Sequence, residues 1–161
     1  MAKQPAITLT QVDSPALATT ARELFREYSV DIGIDLEYQG FSTELASLPE
    51  PYTPPRGALL LAHAEGETAG CVALRPLGEQ VGEMKRLYVR PAWRRWGLGR
   101  VLADAVINAA RRAGYRELRL DTLPSMAPAQ GLYKRLGFVE IPPYSDNFLP
   151  GTRFFALTLQ E

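Results

Sequence analysis

The chain has 161 residues, and 18 lysines and arginines balance 18 aspartates and glutamates, so its formal net charge is zero. That length suits one domain with a real core and is short for two, while 46% hydrophobic and 22% charged residues exclude wholesale disorder. Charge neutrality argues against a protein that wraps nucleic acid, and a single cysteine, Cys71, excludes an internal disulfide or a multi-cysteine zinc site.

The start, MAKQPAITLT, lacks the apolar run of a signal peptide, and the longest apolar stretch, residues 58–62, is far short of a membrane span. The expectation is one soluble cytoplasmic domain over residues 1–161 with no membrane partner and no metal. A short strand at residues 6–9 gives way to Asp13-Ser-Pro, where Ser14 can cap a helix and Pro15 can open it. Leu17, Ala21, Leu24, Phe25 and Tyr28 then recur at helical spacing. Residues 36–48 carry a second amphipathic pattern with Phe41, Leu45 and Leu48, weakened by Gly40. Prolines between residues 49 and 55 end it.

Strands follow at 58–64 and 68–74 around the Glu65-Gly66-Glu67 turn, and at 83–89 after Gly82. From Leu98 to Ala110 the apolar stripe is helical, with Gly114 placed to terminate it. A strand at 117–122, a short helix at 127–136 ended by Gly137, and strands at 138–141 and 152–159 complete the chain. Residues 49–57 and 142–151 are the loops long enough to carry function.

The chemistry centres on Leu87-Tyr-Val-Arg-Pro-Ala-Trp-Arg-Arg-Trp-Gly-Leu-Gly-Arg100, a strand running through a turn into a long helix. Glycines at 97 and 99 let successive amides point into one concavity with the helix dipole behind them, and Arg94, Arg95 and Arg100 add countercharge suited to a pyrophosphate. Alone, such a turn is equally a plain strand-to-helix connection. A second segment, Leu132-Tyr-Lys-Arg-Leu-Gly-Phe138, follows in fixed order. Together the two resemble the GNAT superfamily of N-acetyltransferases from about residue 57 to residue 141.

The resemblance implies an α/β fold with a mixed, mostly antiparallel sheet of six or seven strands and about four helices. Its fourth and fifth strands splay to hold acetyl-CoA. It also implies backbone contacts from Leu87, Tyr88 and Val89 to the pantetheine arm, with the Val89 amide facing the thioester carbonyl, where oxyanion charge develops. Arg94, Arg95, Trp96, Gly97, Leu98, Gly99 and Arg100 would wrap the pyrophosphate, and Tyr133 would protonate the departing sulfur. Without the resemblance Tyr133 reads as a core aromatic. Where many members carry an asparagine this sequence has Met126, which removes a side-chain amide bond to the cofactor but leaves the backbone ones.

Glu83 matches a position where some members carry a base; a solvent-facing glutamate is the bland alternative, and other members use a water chain. His63 and Cys71 read as strand and core residues. The cluster of Lys85, Arg86, Arg90, Arg94, Arg95 and Arg100 is explained by the cofactor's phosphates rather than by nucleic acid.

For the acceptor the resemblance points to the space between the N-terminal helices, with Tyr28, Glu37, Tyr38 and Phe41, and the last loop, with Tyr144, Asn147 and Phe148. Such aromatics with a few polar groups suit a small amine or amino-acid-like acceptor. The expected reaction is direct transfer from acetyl-CoA to a small primary amine. Acetylation of a protein N-terminus or lysine, or a non-catalytic acyl-CoA sensor, are the alternatives. Exposed strands in the C-terminal half leave room for a homodimer without requiring one.

Overall fold

Ser14 accepts a hydrogen bond from the Leu17 amide at 3.2 Å, and Pro15 occupies the first helical turn. Helix α1 (Pro15–Ile32) therefore starts where the sequence predicts and stops at Gly33, whose φ of +70° closes it. The computed structural model describes residues 4–160; the first three residues of the start segment read above lie outside the described residues. The stretch predicted over 36–48 is broken in two. Gly40, at φ +74°, ends a 3-10 turn (Leu36–Gln39) and redirects the chain into α2 (Phe41–Ser47).

Seven strands form one sheet: β1 (Ile7–Gln11), β2 (Ala58–Ala64), β3 (Glu67–Pro76), β4 (Val81–Val89), β5 (Glu117–Thr122), β6 (Val139–Ile141) and β7 (Arg153–Thr158), in the order β1-β2-β3-β4-β5-β7-β6. All neighbours are antiparallel except β4 and β5. Helices α3 (Leu98–Arg112) and α4 (Ala127–Arg135) complete the domain. β4 begins two residues earlier than the sequence suggests, because Gly82 pairs with Pro76 and Leu118 and yields its side-chain space to the Tyr115 ring.

Each face of the sheet buries its own core. On one, Leu98, Leu102 and Val106 of α3 pack on Val72, Leu74, Leu118 and Phe155. On the other, Leu24, Phe25 and Tyr28 of α1 and Phe41 of α2 pack on Leu59, Leu61, Cys71 and Tyr88. Cys71 is thus the buried core residue expected.

Strand β4 carries a bulge that aims the site. Ala73 pairs with Lys85 and Cys71 with Tyr88, so β4 has one residue too many across this gap, and Arg86 takes a φ of +60°. The extra residue lets Arg86 reach α2, where it grips Glu44 bidentately at 2.6 and 3.0 Å. Both side chains are buried, 3% and 9% exposed, and Tyr52 donates to the same carboxylate at 2.7 Å. Burial pushes the Glu44 carboxyl up, but the Arg86 hydrogen bonds and charge more than offset it and hold it below the ordinary 4.5. The stability from this pair is therefore complete above that value and is lost as pH falls through the lower folded value. Glu44→Ala leaves a buried guanidinium unpaired and should cost about 3–5 kcal/mol in urea unfolding at pH 7. The deficit against the parent should shrink as the pH is lowered below 4.

Candidate active site

β4 and β5 pair only from Val81 to Glu83 against Glu117 to Arg119, and beyond that register they diverge. The gap opens a cleft of about 580 Å³ bounded by Leu87, Tyr88 and Val89 on one side and by Met126, Ala129 and Leu132 on the other. Its outer end is the turn into α3. A 3-10 helix (Pro91–Trp96) stops at Gly97, whose φ is +73° and which supplies no side-chain cap to α3. The first amides of α3 consequently have no partner within the helix and are free for an anion. A Cβ at Gly99 would touch only Leu132 Cδ2 at 3.6 Å, and one at Gly97 nothing within 4 Å.

Arg94 and Arg100 flank this end of the cleft. Arg94 is fixed by donating from Nε to the Val89 carbonyl at 2.9 Å and by Asp31 at 3.1 Å. The expected residues Leu87, Tyr88, Val89, Arg94, Gly97, Gly99, Arg100 and Met126 all border the cleft. Three others do not present side chains to it. Arg95 stacks over Trp96 at 5.8 Å, Trp96 packs on the core and accepts from Gln4 through its carbonyl, and Leu98 is fully buried under the helix. None of the three lines the cleft.

Tyr133 is buried on α4 with its ring 5.8 Å from that of Phe138. It borders a narrow passage at the inner end of the cleft, together with Tyr28, Lys85, Leu87, Asp121 and Met126. Burial, reinforced by the neighbouring Tyr28 and Asp121, pushes its ionisation well above that of a free phenol, so it holds its proton.

A second cavity of about 390 Å³ lies beyond the passage. Tyr38, Tyr144 and Asn147 line it as expected, and Glu83 lies at its floor, 3% exposed. Arg75 Nε donates to Glu83 Oε1 and Tyr144 Oη to Glu83 Oε2, each at 2.7 Å. Asn147 Nδ2 donates to the Tyr38 carbonyl. These bonds tie the 142–151 loop over the cavity. Two expected acceptor residues sit elsewhere. Glu37 turns its carboxylate to the Ser42 amide and hydroxyl at the start of α2, and Tyr28 borders the cleft and passage with its hydroxyl directed at Met126 Sδ, 4.0 Å away.

The basic cluster assigned to phosphates divides three ways. Arg94 and Arg100 border the cleft, Arg86 and Arg90 are committed to Glu44 and Glu27, and Lys85 lines the second cavity. Asp121 escaped the sequence analysis altogether. It stands on β5 at the splay and borders both the second cavity and the passage. The alternation Glu117, Arg119, Asp121 along β5 was the available signal. Burial first, then Glu83, pushes the Asp121 carboxyl up against the opposing charge of Lys85.

The sequence matches the acetyltransferase (GNAT) family over residues 20–138. The chain belongs to this family. An N-acetyltransferase of Schizosaccharomyces pombe is 38% identical over the whole of both chains. A GNAT-family acetyltransferase of Staphylococcus aureus superposes with a TM-score of 0.80 at 23% identity, covering 96% of this chain and 100% of that one. An acetyltransferase of Salmonella typhimurium solved with its cofactor acetyl-CoA has a TM-score of 0.72 at 20% identity, covering 97% and 95%. The protein is thus a GNAT N-acetyltransferase with the expected mixed sheet, and no described helix is long and apolar enough to cross a membrane.

Proposed function

We propose that this N-acetyltransferase binds acetyl-CoA in the splayed cleft and acetylates the primary amine of a small molecule held in the adjoining cavity. The observation that carries it is the loop drawn across that cavity. The 142–151 loop is tied down through Tyr144 and Asn147 on its far side, where an open groove would suit a protein chain.

The residues present fit the cofactor. The uncapped amides of α3, glycines that leave room, and Arg94 and Arg100 suit a pyrophosphate. The diverging backbone at Leu87, Tyr88 and Val89 offers groups no longer paired to β5. Acetyl-CoA supplies the thioester when bound. Within the chain, the Val89 amide is the donor for developing oxyanion charge, and Tyr133 holds a proton at Oη for the departing sulfur. Glu83, held by Arg75 and Tyr144, accepts the proton of the incoming ammonium directly or through a water it orients.

Calorimetry should show micromolar binding of acetyl-CoA, and acceptor-dependent release of CoA thiol should appear with small amines. Gly97→Glu places a carboxylate at the phosphate end in a strained φ of +73° and should weaken acetyl-CoA binding at least tenfold. Acetylation of peptides with no small amine turned over would overturn the small-acceptor assignment. Binding without any turnover would favour a sensor.

A further inference from the structure

Five charged side chains line the acceptor cavity, and three of them are neutralised, two by each other and the third by Arg86 behind the lining. Arg75 is paired with Glu83 at 2.7 Å, and Glu44 with Arg86 at 2.6 Å. Lys85 and Asp121 are left, and neither has an ion-pair partner within the described residues. They stand on the two strands that part at the splay, Lys85 on β4 and Asp121 on β5. Both border the cavity and also the passage that leads to Leu87 and Tyr133.

Opposite unpaired charges facing one small space set the ligand's pattern. An amine alone would compete with Lys85 for Asp121 and leave a half-buried ammonium less compensated; an acid alone would do the reverse. A ligand with an ammonium and an anion a few bonds apart satisfies both. Its anion carries one charge, because the guanidinium groups nearby, Arg75 and Arg86, are already committed to carboxylates. A phosphate would ask for more donors than one lysine offers.

Resting on the small-amine reading of the same cavity, we infer that the acceptor is an α-amino acid, its ammonium held by Asp121 at the passage and its carboxylate held by Lys85. The rest of the cavity, walled by Tyr38, Tyr52, Tyr144 and Leu77, receives the side chain. Burial pushes the Asp121 carboxyl up and the Lys85 ammonium down, so each gains from a partner of opposite charge that enters with the ligand. Asp121 and Lys85 act here as binding residues, which leaves the proton-accepting role with Glu83.

The test separates binding from turnover. Phenylalanine, phenylalaninamide and phenethylamine, and the same trio built on glutamine, are titrated calorimetrically into the CoA-saturated protein and its Lys85→Met and Asp121→Asn variants. At least one free amino acid should bind about tenfold or more tightly than its amide and amine. Lys85→Met should erase that preference while leaving the acetyl-CoA Kd unchanged, which also reports that the variant is folded. Asp121→Asn should weaken all ligands that retain an ammonium. Amides and amines binding as well as the amino acids, no ligand binding at all, or a preference that survives Lys85→Met would each overturn the inference. CoA release measured on the same ligands reads the proposed activity separately: selective amino-acid binding without release would sink the activity and leave the binding assignment standing.

Discussion

Tyr133→Phe is expected to lower kcat about 100-fold with the acetyl-CoA Kd changed less than twofold. The substitution removes one oxygen and keeps the ring that packs against Phe138 at 5.8 Å, so the α4 contact and the wall of the passage survive. What is lost is a proton. Burial, with Tyr28 and Asp121 adding to it, keeps the phenol neutral far above physiological pH, so the hydroxyl serves as a donor and not as a base. A departing thiolate is the group in this reaction that needs such a donor. The parent enzyme's kcat should accordingly show no fall assignable to Tyr133 between pH 6 and 9. An unchanged kcat would reduce Tyr133 to a wall residue. A joint loss of kcat and cofactor affinity would mean that the hydroxyl shapes the cleft instead.

What the sequence made legible was local. Ser14-Pro15, Glu65-Gly66 and Gly97 each fix the backbone within a few residues, so the start of α1, the β2–β3 turn and the start of α3 could be placed from the chain itself. The splayed cleft follows from one such continuous segment, and most of the residues expected along it line it. The second cavity, proposed for the acceptor, is different in kind. Tyr38, Arg75, Lys85, Asp121 and Tyr144 reach it from five separate segments, and nothing local says that they converge.

The bulge explains part of the remainder. Met84-Lys-Arg-Leu87 breaks strict alternation, and the two adjacent charges on an interior strand were the visible sign of an extra residue. With that residue absorbed at Arg86, one charge goes to Glu44 and the other to the cavity, where a count of basic residues sends both to the phosphates. Glu37 misled for a related reason. A carboxylate near an N-terminal helix pair looks available to a cationic acceptor, yet its distance from Ser42 suits a bond to the α2 amide, which satisfies it locally.

Gly70→Ala is expected to be the most damaging single-methyl change in the cofactor half of the sheet. A Cβ there would stand 2.4 Å from the Tyr88 carbonyl oxygen and 3.3 Å from both Val89 Cα and Leu102 Cδ1. The nearest of these is backbone in a central strand, held by β3 and covered on both faces, so it has no rotamer to change. Relief has to come from moving β4 or β3, at a cost of about 3 kcal/mol, which for a domain of this size lowers Tm by about 6–12 °C. The strand displaced is the one that carries Tyr88 and Val89 along the cleft, so acetyl-CoA binding should weaken with stability, by about tenfold or more. Gly131→Ala is the control. Its Cβ would meet only the end of the flexible Arg135 side chain at 3.3 Å, inside α4. There the added methyl restricts the unfolded chain more than it crowds the folded one and should raise stability by about 0.5–1 kcal/mol. Equal melting temperatures for Gly70→Ala and the parent would show that β4 shifts freely at the bulge, and the fixed placement of the Val89 amide would fall with that result.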